Sequence, residues 1–193
     1  MPDVSPLVPK IFSAIERITT VFRATLWDDA KNLGFSPMQT QILLFINKHS
    51  SDLCTVSSLA KEFSVTKATI SDAVRVLLEK EILKKDYTED ARSFCLSCTP
   101  EGSKVLDGMP QDNLLGWKDI LKDLSPADLE ILWRGLLLLM KSLEKQNKIP
   151  LRMCMNCKHF QKDDGHYYCL LMNSPLQLSE LRLDCPEHHS NAV

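Results

Sequence analysis

Along the chain, apolar positions first recur at helical spacing after Ser5. Leu7, Val8, Ile11, Phe12, Ile15, Ile18, Phe22 and Leu26 form one stripe, which stops at Leu33-Gly34. A shorter stripe of Met38, Ile42, Leu43 and Ile46 follows Ser36. "TVSSLAKEFSV" (55–65) then reads as a short helix capped by Thr55, and "VTKATISDAVRVLLEKEIL" (65–83) as a second helix with Ile70, Val74, Leu77 and Leu78 on one face. In residues 84–98 the pattern changes to two short strands around the polar turn "TEDAR". Two long helices, roughly 100–123 and 126–147, complete this part. The second is apolar around much of its circumference near Leu136–Met140, as expected of a helix covered on several sides by its own core or by a second subunit.

Punctuation supports these helix starts. Ser5-Pro6, Ser36-Pro37, Thr99-Pro100 and Ser125-Pro126 each place a hydroxyl cap before a proline suited to the first helical position. "SPMQ" (36–39) also has the capping-box pattern, with Gln39 placed to reach back. Two short helices joined by a tight turn and followed by a β-hairpin predict a winged helix–turn–helix, whose second helix suits the major groove of double-stranded DNA. The positions expected to face the groove are Thr66, Lys67, Thr69, Ser71, Asp72 and Arg75, with Arg92 at the hairpin tip for the minor groove.

Composition tempers this reading. The chain of 193 residues carries a net charge of −2, and residues 51–100 hold seven Lys/Arg against eight Asp/Glu. Phosphate neutralisation supplies much of DNA affinity, so local placement of Lys67, Arg75, Lys84, Lys85 and Arg92 has to outweigh that balance. The alternative is a winged helix that binds protein, with a structural zinc site and no DNA binding. "MPDVSPLVPKIF" does not read as a signal peptide, and "ILWRGLLLLM" (131–140) is too short to cross a bilayer, so a cytoplasmic protein with no membrane partner is expected. No phosphate-cradling glycine loop or nucleophile–base arrangement is legible, which argues against an enzyme.

The last forty residues pose a separate question. Cys154, Cys157, Cys169 and Cys185 are spaced C-x2-C-x11-C-x15-C. A two-residue gap lets a tight turn point both thiolates at one centre, and four thiolates suit tetrahedral zinc or a four-iron iron–sulfur cluster. His159, His166, His188 and His189 are nearby substitutes at a zinc site. Cys95 and Cys98 also spell C-x2-C, but on a strand they fall on opposite faces, with Cys98 inward beside Phe94 and Leu96. Cys54 has no evident partner. The segment is rich in aromatic and aliphatic residues yet short for a core of its own, so a metal would supply much of its folding energy.

The order of elements resembles the MarR (multiple antibiotic resistance regulator) family of winged-helix transcription factors over about residues 5–147. The resemblance rests on "LGFSPMQTQILLFI", "TVSSLAKEFSVTKATISDAVRVLLEKEIL" and "KKDYTEDARSFCLSCTPEG". In the last, Asp90-Ala91-Arg92 matches the family's Asp-x-Arg, and Cys98-Thr99-Pro100-Glu101-Gly102 its Leu-Thr-x-x-Gly with Cys98 in place of leucine. The resemblance implies a homodimer joined by the first and last long helices. It also implies a small-molecule effector, for which Trp27, Phe45 or Trp117 would line a pocket. The "CMNC" turn, Phe160 and Tyr168-Cys169-Leu170-Leu171 are similar to the cluster-binding segment of high-potential iron–sulfur proteins. Zinc and a cluster both stay open. The expected architecture is therefore mainly α. Residues 1–148 form the winged helix with its dimerisation helices, and 149–193 a small metal-binding module that stabilises the fold or senses metal or redox state.

Overall fold

The computed structural model of the chain describes residues 5–87, 94–108, 117–144, 146 and 150–190. Hydroxyl caps set its helix starts. α1 (Leu7–Asn32) follows Ser5, whose carbonyl accepts from Val8 N. α2 (Pro37–Lys48) opens on a complete capping box: Ser36 Oγ accepts from Gln39 N, and Gln39 Oε1 accepts from Ser36 N at 2.8 Å. Thr55 caps α3 (Val56–Glu62), Thr66 caps α4 (Lys67–Glu79), and Thr99 caps α5 (Pro100–Asp107). α6 (Trp117–Leu121) is short, and α7 (Pro126–Glu144) begins where Ser125 Oγ accepts from Asp128 N.

Three helix ends share one device. At the ends of α1, α3 and α4 the chain turns through a residue at positive φ, and the next amide reaches back to close a six-residue loop. Phe35 N bonds Ala30 O after Gly34, Val65 N bonds Ala60 O after Ser64, and Ile82 N bonds Leu77 O after Glu81. Glycine suits this conformation, yet only the first site has one. Ser64 at φ 52° and Glu81 at φ 57° adopt it with a side chain attached.

α2 to α5 enclose one core. Ile42, Leu43, Leu59, Ile70, Leu77, Leu83 and Leu96 are fully buried in it, and β1 (Leu83–Tyr87) pairs antiparallel with β2 (Phe94–Cys98), Leu83 opposite Cys98. Leu96 N also donates to Cys54 O, fastening the segment before α3 to the hairpin. The start of α5 crosses the α4–β1 connection very closely. A Cβ on Gly102 would stand 2.2 Å from Ile82 O, which gives a physical reason for glycine in "CTPEG".

The single helix expected over 100–123 is not what forms. α5 ends at Asp107 with Gly108 as its cap, and α6 starts only at Trp117. Gly108 and Pro110 lie between, and proline disfavours helix in the residue before it. α1 and α7 do form where the pattern places them. Their apolar residues are largely uncovered within one chain: Leu7, Val8, Ile11, Phe12 and Ile18 on α1, Ile131 and Leu138 on α7, are all exposed.

The C-terminal module is a three-stranded antiparallel sheet, β3 (Phe160–Asp163), β4 (His166–Cys169) and β5 (Ser174–Leu176), preceded by a 3-10 turn over Cys154–Asn156. Asp164 and Gly165 join β3 to β4, both at positive φ, as a two-residue hairpin turn requires. Met153 and Leu181 pack with Leu137 of α7 in a second, small core. Trp133 Nε1 donates to Leu178 O at 2.9 Å across the same junction. One side of the apolar α7 run is thus covered by the chain's own C-terminal segment.

Candidate nucleic-acid interface and metal centre

The apolar stripe of α4 fixes what its other face presents. Ile70, Ala73, Val74 and Leu77 point into the core, so Thr66, Lys67, Thr69, Ser71, Asp72 and Arg75 are all exposed, as the spacing predicts. Two of the hydroxyls already serve the helix: Thr66 Oγ1 accepts from Thr69 N and shares a 2.8 Å hydrogen bond with Thr69 Oγ1. Thr66 is therefore first a cap. Arg75 Nη1 lies 2.9 Å from Glu79 Oε1, one helical turn on. On the hairpin, Lys84 pairs with Asp86, and Lys85 Nζ sits 4.7 Å from the Phe94 ring centre. The Ser97 hydroxyl and then Lys84 hold the Asp86 carboxyl below its ordinary pKa. No ion pair among the described residues engages Lys67 or Lys85. Arg92 and the turn around it lie outside the described residues.

The aromatic residues expected around an effector lie in different surroundings within one chain. Phe45 belongs to the core, stacked on the His49 ring at 3.8 Å, whereas Trp27 is 63% exposed on α1. Trp117 opens α6, and its side chain lies outside the described residues.

The four C-terminal cysteines border one cavity. Cys154 and Cys157 flank the 3-10 turn, Cys169 ends β4, and Cys185 follows on a segment that runs beside residues 152–154. That pairing is made by Cys154 N to Arg182 O and Cys185 N to Arg152 O, both 2.9 Å. All four cysteines line one cavity of about 340 Å³, together with Phe160, Leu171, Met172 and Leu176. Arg182 N donates to Cys154 Sγ at 3.2 Å. Burial raises the Cys154 thiol pKa, and this amide works in the opposite direction. Among the described residues, no three His, Cys, Asp or Glu side chains are gathered in a way that would hold a single ion.

Of the four histidines, His159 lines the cavity and stands edge-on to His189. His188 Nε2 is 2.7 Å from Asn156 Oδ1, inside the C-x2-C turn, and burial lowers its pKa. His166 is exposed at the start of β4. The other cysteines belong to the winged helix. Cys54 is 1% exposed in its core, and burial pushes its thiol up to about 11. Cys98 packs half-buried beside Phe94 against the same core, and burial raises its thiol as well.

One arrangement was not legible from the sequence: a charged clasp joins module to winged helix. Arg152 Nη2 meets Glu62 at the end of α3 at 3.0 Å, and Arg152 Nε meets Asp184 at 2.6 Å. Asp184 also meets His49 Nε2 at 2.6 Å, just past the end of α2. The guanidinium lies over Phe45, 5.5 Å from the ring centre. Burial works to raise the Asp184 pKa, but Arg152 and then His49 outweigh it and bring the carboxyl below its ordinary value. Arg152 and Asp184 each lie within two residues of a cavity cysteine.

Comparison with known proteins bears on the first of these sites. Residues 33–93, from the end of α1 through the hairpin turn, match the profile of the MarR family. The uncharacterized HTH-type transcriptional regulator YfiV of Bacillus subtilis (strain 168) is 26% identical over 117 residues, 60% of this chain and 72% of that protein. Among solved structures, a MarR transcriptional regulator from Methanosarcina mazei Go1 superposes with a TM-score of 0.61 at 16% identity, covering 71% of this chain and 98% of the other. The S. aureus MepR–DNA complex gives a TM-score of 0.58 at 18% identity, covering 67% and 96%. No helix among the described residues is long and apolar enough to cross a membrane. The winged helix of this chain therefore matches the MarR family in sequence over residues 33–93, and its fold is the one those regulators share.

Proposed function

We propose that the protein is a homodimeric, sequence-specific DNA-binding transcriptional regulator whose C-terminal module carries a four-cysteine metal site. The observation that carries the regulator reading is the exposed face of α4, with Lys67, Ser71, Asp72 and Arg75 free of the core, within the segment that matches the MarR profile. The solved relative in complex with DNA supports it, and so does the name of the B. subtilis protein, a transcriptional regulator and not an enzyme. Lys67 and Lys85 supply phosphate contacts, Ser71 and Asp72 face base edges, and Arg75 exchanges Glu79 for DNA. Arg92, outside the described residues, is the proposed minor-groove contact.

The dimer reading rests on α1 and α7. Leu7, Val8, Ile11, Phe12, Ile15 and Ile18 are all exposed on α1, and a second copy would cover them. A small-molecule effector is a further partner of such a regulator. In the module, metal ligation by Cys154, Cys157, Cys169 and Cys185 would stabilise the fold or report metal or redox state, through elements that contact α7 and the α2–α3 region.

The test is binding to genomic DNA fragments followed by footprinting. Lys67→Ala should weaken binding across sequences and reduce the slope of log affinity against log salt by about one. Arg75→Ala should instead relax base preference. A salt-independent affinity, or a footprint with no preferred sequence, would overturn the reading. A second reading, a winged helix that binds protein, draws support from the pairing of Arg75 with Glu79 and Lys84 with Asp86. It predicts no footprint at any salt concentration.

A further inference from the structure

A single tetrahedral zinc ion bound at about 2.3 Å draws its four sulfurs to about 3.8 Å from one another. Sites of that kind are commonly built from two C-x2-C turns facing each other. Here only one such turn exists. The third thiol ends a strand, and the fourth lies on a separate segment sixteen residues further on. The four line a cavity of about 340 Å³ without forming a group that would hold one ion among the described residues. A body that meets each sulfur at a different corner is the alternative to one central ion.

The rest of the wall suits the same occupant. Phe160, Leu171, Met172 and Leu176 contribute apolar side chains to the wall, beside the polar Ser179, Glu180 and Glu187. The Arg182 amide directed at Cys154 Sγ is an N–H···S hydrogen bond, one of the means by which a protein tunes a cluster. The frame is braced without metal bonds at two places. Asn156, inside the turn, donates to Leu151 O and Glu144 and faces His188. Arg152 and Asp184, beside the first and last cysteines, are bonded to each other.

Accepting that the module is a metal site, we propose that Cys154, Cys157, Cys169 and Cys185 hold a four-iron, four-sulfide cluster, one cysteine per iron, and not a zinc ion. Binding of a preformed cluster converts four thiols to thiolates and releases four protons without electron transfer; assembled in place, the core balances with two ferrous ions, two ferric ions and four sulfides as co-reactants. His159 remains outside the ligand set.

The experiment is analysis of the full chain expressed with added iron and purified without oxygen. About four iron and four acid-labile sulfide per chain are expected, with a brown colour and broad visible absorption. Cys169→Ser and Cys185→Ser should each lower iron and sulfide at least several-fold, whereas Cys95→Ser, in the winged helix, should leave them unchanged. Should the serine variants fail to fold, iron-57 Mössbauer spectra of the parent protein still decide between a four-iron cluster and iron bound singly. One zinc per chain with no labile sulfide would overturn the cluster while leaving a metal module. No metal of either kind would overturn both. DNA binding is not part of the readout, so failure of the regulator reading leaves this result interpretable.

Discussion

The two parts of the chain are held together in different ways. Among the described residues, the winged helix buries fifteen in one continuous core drawn from α2 to α5, and its caps and turns agree with that core. Of those described, the C-terminal module contributes Met153 and Leu181 to a buried cluster completed by Leu137 of α7. Its three strands are three or four residues long and would be marginal alone. Apolar burial accounts for the first part. The second rests on docking to α7 and on the charged clasp, to which the proposed ligation would add.

That contrast can be broken from the module side first. If the module holds the proposed metal, removing it anaerobically should withdraw stabilisation on the order of 10 kcal/mol, by analogy with structural metal sites. Hydrogen exchange should then rise sharply through residues 150–190 and stay slow in α2–α4. Equal protection before and after removal would mean that the module's own packing suffices. From the other side, Leu77→Ala opens a cavity in the winged-helix core and should cost about 2–5 kcal/mol in denaturant unfolding. Metal content should persist in that variant at temperatures where the winged helix remains folded.

The clasp tests whether the two parts communicate. Arg152→Met keeps the stem over Phe45 but leaves Glu62 and Asp184 without their cation. Because Asp184 is partly exposed, the loss is expected at about 1–3 kcal/mol, and less in high salt. Asp184 has its pKa lowered in the folded protein, so its contribution is fully present above the ordinary carboxylate range. It is lost as pH falls through the lowered value. Acid should therefore loosen the module, and Asp184→Asn should flatten that part of the stability–pH curve. The smallest effect concerns a turn. Glu81→Gly relieves the positive φ at the end of α4 and should add about 0.5–1 kcal/mol, read as a rise in melting temperature.

The same contrast explains what the sequence made legible. Ser36 with Gln39, Thr55, Thr66 and Thr99 announce helix starts because a cap is a local bond between residues three apart. The exposed face of α4 follows from a helical period that any reader of the sequence can count. Residues 100–123 were read as one helix because their periodicity hid Gly108 and Pro110. The module's hairpin had an available signal in Asp164-Gly165, overshadowed by the cysteines around it. The gathering of those cysteines was foreseeable from spacing, but their cavity depended on the pairing of residues 152–154 with 182–185. The clasp had no local signature, since its charges pair across the fold: no spacing rule links His49, Glu62, Arg152 and Asp184.

That clasp also sets an order of events during synthesis. Asp184 emerges 135 residues after His49, its hydrogen-bonding partner. At about 5–20 residues per second, roughly 7–27 s separate the two. A nascent winged helix thus has time to close its core, while the Phe45–His49 face waits for Arg152 and Asp184. On the ribosome the reading head exists first without its companion, so the module is an addition to a finished domain and not a scaffold for it.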